Sequence, residues 1–125
     1  MIERTYEYYG YCTRVVDGDT IEVYVDMGFE IHHKIRVRLL NVLAPEIFSG
    51  PVEVRAKGKI AKDYLDTLLK GRYVKIQTIK DHTTFNRYIA TVWVDAADDI
   101  SDDLTGIVNV NEEMTRYINE NKLND

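Results

Sequence analysis

The amino-acid sequence predicts a small, mostly antiparallel β protein that also contains helices, the α+β class. Five segments are rich in β-branched and aromatic residues and are separated by turn signals. One long segment with helical periodicity lies between the third and the fourth of them. The 125 residues are the length of one domain, so we expect a single domain over residues 1–125. The 45% hydrophobic share, with 2 Pro and 7 Gly, favours a packed core over a disordered chain.

The first two strands are predicted to form a hairpin. Residues 6–16 are aromatic and β-branched, and residues 20–27 alternate between apolar and polar side chains. Between them, Asp17-Gly18-Asp19 is a turn sequence whose glycine permits a positive φ. We therefore expect an antiparallel pair closed at this turn.

A second turn is predicted at Gly28 and leads into a third strand with a basic face. In residues 31–39, apolar side chains alternate with basic ones, so Arg36 and Arg38 project from the same face of the strand. Residues 41–51 lack periodicity, and Pro45 prevents the continuation of a central strand. We expect a loop there.

The one long helix is predicted at residues 54–70, where apolar residues recur at helical spacing and basic residues fill the other face. Gly71 is predicted to end it. Two further strands are predicted at residues 73–79 and 88–94, and a short last helix is predicted to begin at Asn111 as its N-cap. This order is that of a five-stranded OB-type barrel with a helix between strands 3 and 4 and a short C-terminal helix. Other α+β folds share the same order.

Charge is divided unevenly along the chain, whose net charge is −5. Residues 1–94 carry 14 basic and 12 acidic side chains, whereas residues 95–125 carry 2 and 9. The acidity thus belongs to the C-terminal segment, where residues 95–106 are predicted to be an acidic connector. Residues 31–87 carry 12 basic and 5 acidic side chains, which leaves nucleic acid open as a partner.

The sequence lacks the marks of several other protein classes. Cys12 is the only cysteine, so an internal disulfide, a zinc finger and a disulfide scaffold are excluded. No run of about 20 apolar residues is present, and the first ten residues carry no export signal. We therefore expect a cytoplasmic protein with no membrane partner.

Four motifs, in order along the chain, carry a family resemblance. Two of them are Val15-Val16-Asp17-Gly18-Asp19-Thr20-Ile21 and Arg38-Leu39-Leu40-Asn41-Val42-Leu43-Ala44-Pro45-Glu46. The others are Phe85-Asn86-Arg87 and Val110-Asn111, with Arg116 behind it. The set spans about residues 15–118 and resembles the thermonuclease (staphylococcal-nuclease-like) family. The resemblance implies an OB-type barrel and calcium-dependent hydrolysis of DNA and RNA phosphodiesters.

The resemblance also implies three catalytic residues. Glu46 matches the general base that makes a water nucleophilic. Arg38 and Arg87 match the pair that binds the phosphate, whose oxygens become more negative as the water attacks. Guanidinium suits this task because its planar fork supplies two donors and stays protonated near neutral pH.

A calcium site is implied as well, and here the sequence departs from the family pattern. Asp19 matches a calcium ligand, the backbone carbonyl of Ala44 occupies the position of another, and Asp17 is expected to contribute through a water. Leu43 stands where the family has a second metal-binding aspartate. Because an isobutyl group cannot coordinate a cation, we expect weakened calcium binding.

The resemblance therefore predicts an endonuclease that prefers single-stranded DNA or RNA. The alternative is a catalytically silent OB-fold module that binds nucleic acid or a protein partner. Leu43 favours this alternative, whereas the set of Arg38, Glu46 and Arg87 favours the enzyme. A protein that acts through its acidic C-terminal segment, or that self-associates, is a further alternative. The chain is also expected to be shorter at its C-terminus than family members, which commonly have another helix.

Overall fold

The computed structural model describes residues 6–80, 87–95 and 106–124, and for Lys80 and Arg87 it describes the backbone alone. Two predicted features therefore lie outside the described residues. They are the acidic connector between residues 96 and 105, and the Phe85-Asn86 part of the third motif.

Five strands form a closed barrel, which confirms the predicted architecture. They are β1 (Glu7–Asp17), β2 (Thr20–Asp26), β3 (His32–Leu39), β4 (Tyr73–Lys80) and β5 (Arg87–Asp95). Their order is β3-β2-β1-β4-β5 with antiparallel neighbours, and a parallel pairing between β3 and β5 closes the ring. A sixth strand, β6 (Ile107–Asn109), pairs with β5 and was not predicted, because three residues are too few to show an alternating pattern.

The β1–β2 hairpin turns at Asp17-Gly18-Asp19 as predicted, but the predicted reason for the glycine is wrong. Gly18 does not have a positive φ. A Cβ at this position would instead lie 2.7 Å from the Cβ atoms of both Ala44 and Ala61. The glycine is needed because the turn is packed against the loop that follows β3 and against the long helix.

The long helix, α1, spans Val52–Leu69 and lies between β3 and β4, as predicted. It begins two residues earlier than the sequence pattern indicates, directly after Pro51, whose fixed φ suits the start of a helix. Gly71, at φ +74°, follows its end. The apolar face of α1 joins the barrel core through Ala61, Leu65, Leu68 and Leu69. Among the described residues, neither helix is long and apolar enough to cross a membrane.

The last helix, α2, spans Val110–Glu120, and its predicted N-cap is wrong. Asn109 caps the helix, because its side chain accepts a hydrogen bond from the backbone N–H of Glu112 at 3.1 Å. The helix therefore begins one residue before Asn111, which places Asn111 in its first turn with a buried side chain. Met114 and Ile118 anchor α2 in the same core as α1.

Candidate functional site

The carboxylate of Asp19 links the hairpin turn to the loop after β3. Its Oδ2 accepts a hydrogen bond from the backbone N–H of Ala44 at 3.3 Å, and its Oδ1 accepts one from the Thr20 hydroxyl at 3.0 Å. The backbone carbonyl of Asp19 accepts from the N–H of Leu39 at 2.7 Å. The two longest motifs, which lie about 25 residues apart in the sequence, are thereby brought into one place.

Asp17 places a second carboxylate at the same turn. Its Oδ1 accepts from the backbone N–H of Asp19 at 3.0 Å. Burial, followed by the neighbouring Asp17, raises the pKa of Asp19 to about 6. Above that pH the turn holds two close negative charges, an arrangement that a bound cation relieves.

The resemblance implies a calcium ion at these carboxylates. Within residues 6–80, 87–95 and 106–124, no group of three or more His, Cys, Asp or Glu side chains is placed to hold a metal. Asp17 and Asp19 supply two carboxylates, whereas Ala44 turns its N–H towards Asp19. The Leu43 side chain is 65% exposed and offers no donor. Two carboxylates are few for calcium, which takes about six to eight oxygens, so they fit a divalent cation only where most of its ligands come from outside the described side chains.

Arg38 lies next to the carboxylate pair on the neighbouring strand. It is the register partner of Thr20, the residue that follows Asp19. Its half-buried side chain lines a cleft of about 320 Å³ together with Leu43, Asn41 and Ile89. The guanidinium and the residue that departs from the family pattern therefore share one cleft.

The backbone of Arg87 begins β5 beside β3. In the parallel pairing Arg87 is the register partner of Arg36, and Ile89 is the partner of Arg38. Arg87 is thus two register positions away from Arg38. Its role as the second phosphate-binding cation remains a prediction.

Glu46 lies on a loop whose backbone packs directly against α1 at Gly58. A Cβ at Gly58 would be 2.6 Å from the carbonyl oxygens of Pro45 and Glu46 and from a side-chain carbon of Ile47. Only glycine permits this approach, so the helix fixes the backbone at Glu46 while the Glu46 side chain stays exposed. Sequence reasoning missed Gly58, although a glycine inside an amphipathic helix is a signal of close packing.

Asn111 fixes the other side of the same loop. Its Nδ2 donates to the carbonyls of Leu40 and Ala90, both at 3.0 Å, and its Oδ1 accepts from the N–H of Val92 at 2.9 Å. Next to Leu40, Asn41 adopts a left-handed conformation with φ +62°, which Asn tolerates better than most residues. One buried amide thus joins the end of β3 to β5.

Arg116 belongs to a structural network between the two helices. It forms ion pairs with Glu113 and Glu120, and its hydrogen bonds hold the pKa of the Glu113 carboxyl below its usual value. The hydroxyl of Tyr64 in α1 donates to the Glu113 carboxylate, and the ring of Tyr64 stacks on Tyr117 with centroids 3.8 Å apart. Arg116, which is part of the fourth motif, therefore helps to attach α2 to α1 and does not belong to the carboxylate site.

Comparison with known proteins agrees with this geometry. The family model described as staphylococcal nuclease homologue matches residues 36–119, which is two thirds of the chain. The chain belongs to the staphylococcal nuclease homologue family. Its closed five-stranded barrel is accordingly the OB-type fold expected from that family.

Two curated relatives are similar to this chain. Protein ParB of Escherichia coli is 35% identical over 85 residues, which cover 68% of this chain and 41% of that protein. The uncharacterized protein MJ1439 of Methanocaldococcus jannaschii is 29% identical over 129 residues, which cover 88% of this chain and 56% of that protein. The chain therefore spans about half the length of these relatives.

Proposed function

We propose that this chain is a nuclease that hydrolyses phosphodiester bonds of single-stranded DNA or RNA. The observation that carries the proposal is the hydrogen bond between the Asp19 carboxylate and the backbone of Ala44. That contact brings three segments together. They are the hairpin turn with the Asp17 and Asp19 carboxylates (the carboxylate turn), the end of the strand that carries Arg38, and the loop that carries Glu46. A base, a cation and a metal-compatible carboxylate pair are the groups that phosphodiester hydrolysis requires.

Glu46 is the proposed general base. Its carboxylate accepts a proton from a water, the water oxygen forms a bond to phosphorus, and the bond to the leaving oxygen breaks. The exposure of the side chain gives it access to solvent water, and the packing of its backbone on Gly58 limits its position. Positioning of this kind converts an ordinary surface acid into an effective base.

Arg38 is proposed to bind the phosphate oxygens as their negative charge increases. Its half-buried side chain in the 320 Å³ cleft has fewer accessible orientations than an arginine on an open surface. Arg87 is the proposed second cation, because its backbone lies next to Arg36 on the adjoining strand. Two guanidinium groups on one phosphate stabilise the transition state more than the ground state.

Asp17 and Asp19 are proposed to hold a divalent cation, calcium by family likeness. When bound, the cation would stabilise negative charge on phosphate oxygens. Because the described side chains supply two carboxylates and Leu43 supplies none, binding is expected to be weak and to improve when substrate phosphate is present.

The proposal is tested with a fluorescent single-stranded oligonucleotide in calcium, in magnesium and in chelator. The parent protein should cleave it with at least one cation and not in chelator. Arg38→Ala should lower the rate at saturating substrate by roughly 10²–10³-fold, the effect of removing one transition-state donor. Arg36→Ala is the matched control, since Arg36 lies two residues away on the same face of β3 and should change that rate little.

A second candidate function is a silent module that binds nucleic acid without cleaving it. Leu43 favours it, because this side chain lines the same cleft as Arg38 and cannot bind a metal. Oligonucleotide binding that depends on Arg38, with no cleavage in any cation, is the result that supports this candidate over the nuclease.

A further inference from the structure

One end of the barrel is open and lies away from the carboxylate turn. The start of β1 pairs with the ends of β2 and β4, as in Tyr9 with Asp26 and Glu7 with Gln77. The start of β3 adjoins the end of β2, and the start of β5 adjoins the end of β4. All five barrel strands therefore terminate around one opening, whereas Asp17-Gly18-Asp19 lies at the other end of β1.

This opening is a groove of about 580 Å³, within the range of ligand-binding pockets. Four of its lining side chains are rings, contributed by Tyr6, Tyr8, Tyr88 and His33. Apolar side chains, including Met27 and Ile35, complete its walls. We refer to these six residues as the ring groove.

The ring groove and the basic side chains of β3 lie on opposite faces of the strand, close to the rim where β3 begins. His33 and Ile35 line the groove, while the intervening Lys34 and the following Arg36 are exposed on the other face of the same strand. Arg38 lies five positions after His33 on β3, a distance of roughly 17 Å at about 3.4 Å per residue. The exposed Lys34, which pairs with Glu22 at 3.8 Å, and the exposed Arg36 thus lie on the outer face of β3 between the proposed phosphate cleft and the rim of the ring groove.

We propose that the ring groove binds one unstacked base of the nucleic-acid strand whose phosphate lies at Arg38, an inference that rests on the proposed function. Aromatic side chains accept any base by stacking, and a basic surface follows the backbone, which is the combination that binds single strands. A base inside a duplex is already stacked and paired, so the groove selects single-stranded or frayed ends.

The structure favours a base over a purely apolar ligand. The Thr78 hydroxyl and the His33 imidazole bring polar groups to the lining, and a base presents donors and acceptors at its edge. The tether to the phosphate cleft also raises the effective concentration of a base near the groove. A base on the same strand is therefore the occupant that the ring lining and the charge pattern fit together.

The test measures binding of 5′-fluorescein octathymidylate in chelator, where cleavage does not interfere. Eight matched oligonucleotides, each with one abasic position, locate the base that contributes most. In the parent, one position should matter more than the others. Tyr6→Ala/His33→Ala should weaken binding of the intact strand by roughly 5- to 150-fold, the range for loss of base stacking. The same variant should lose its sensitivity to that one abasic position.

Two further variants keep the result interpretable. Tyr6 and His33 are exposed side chains outside the buried core, so their truncation should leave the fold intact. Tyr9→Ala/Tyr73→Ala is the matched control, because these tyrosines are 70% and 80% exposed and lie outside the groove. Tyr6→Phe/His33→Phe retains the rings and should retain binding.

The outcomes separate this inference from the proposed nuclease activity. An abasic profile that is the same in the parent and in Tyr6→Ala/His33→Ala would overturn the ring groove even if the parent cleaves DNA. A profile that loses its one sensitive position supports the ring groove even if no cation produces cleavage. Equal losses in the Tyr9/Tyr73 control would also overturn it.

Discussion

The two ends of the barrel differ in how closely their residues are packed and hydrogen-bonded. At the closed end, α1 packs against the loop after β3 at Gly58 and against the hairpin turn at Gly18. The Asp19 carboxylate accepts from the loop backbone, and the Asn111 amide donates to it. At the open end, rings and apolar side chains surround a groove of about 580 Å³.

We propose that this difference separates two tasks, hydrolysis at the closed end and base binding at the open end. Catalysis requires groups that are held within a fraction of an ångström. Close packing at Gly18 and Gly58, together with hydrogen bonds to the loop backbone, provides that precision. Recognition of varied bases requires a surface that tolerates different occupants, and aromatic rings provide it. Variants at the closed end can show whether it depends on its packing and whether its electrostatics are those of a cation site.

Loss of the close packing of α1 against the Glu46 loop should have the largest effect. In Gly58→Ala, the added Cβ meets two backbone carbonyls at 2.6 Å, so the loop must move. We expect a stability loss of about 1–3 kcal/mol from overpacking, which exceeds the roughly 1 kcal/mol gained from helix propensity. The cleavage rate should fall by up to about 100-fold, because Glu46 moves with the loop. Denaturant unfolding and initial rates measure the two effects.

A control on the same helix isolates the propensity contribution. Ala56→Gly changes an exposed position of α1 and should cost roughly 1 kcal/mol without altering the rate. If Gly58→Ala is instead more stable than the parent and equally active, the proposed close contact does not position the loop.

Removal of the buried Asn111 amide should have the next largest effect on the free energy of unfolding. Asn111→Ala leaves the buried N–H of Val92 without its partner and removes two bonds to carbonyls. We expect a loss of about 1–3 kcal/mol in the free energy of unfolding and faster hydrogen exchange at Val92. Asn119→Ala, an exposed change on the same helix, should stay within about 0.5 kcal/mol. Equal stability of the two variants would contradict the assigned bonding.

The carboxylate turn should give the closed end a distinctive pH response. Because the folded pKa of Asp19, about 6, lies above its usual 3.8, the folded protein binds a proton that the unfolded chain has released between these values. This residue therefore lowers stability as the pH rises from about 4 to 6. Asp19→Asn should remove that decline from melting curves measured against pH. Asp63→Asn, an exposed change in α1, should leave the decline in place.

The smallest effect on stability is expected for Leu43→Asp. Since the side chain is 65% exposed, the new carboxylate stays solvated, and stability should change by less than about 0.5 kcal/mol. Calcium should raise the melting temperature of this variant more than that of the parent, because added ligand charge strengthens calcium binding. Leu43→Asn is the neutral control. An identical calcium response in all three proteins would show that residue 43 does not face the cation.

Local pattern was sufficient to predict the five barrel strands and α1, because alternation and helical spacing are properties of neighbouring residues. The turn at Asp17-Gly18-Asp19 was equally local. That Asp19 and Ala44 lie close together was expected only through the family resemblance, since no periodicity joins residues so far apart. The resemblance pointed to the Ala44 carbonyl as a calcium ligand, whereas the observed contact uses the Ala44 N–H.

Other features depend on three-dimensional proximity and left no local signal. Asn109 and Asn111 are equally good caps by residue type, and only the packing of α2 decides that Asn111 turns into the core. Tyr6, Tyr8 and Tyr88 read as ordinary strand residues, because the ring groove exists only when five strand ends converge.

The proposed hydrolysis depends on Glu46, whose loop lies at the closed end. Single-turnover cleavage and equilibrium binding of one oligonucleotide, measured for the parent, Glu46→Gln and the exposed α1 control Glu53→Gln, test it directly. Glu46→Gln should bind the strand as the parent does and cleave it at least about 100-fold more slowly, while Glu53→Gln matches the parent. Equal cleavage by Glu46→Gln and the parent would contradict the account.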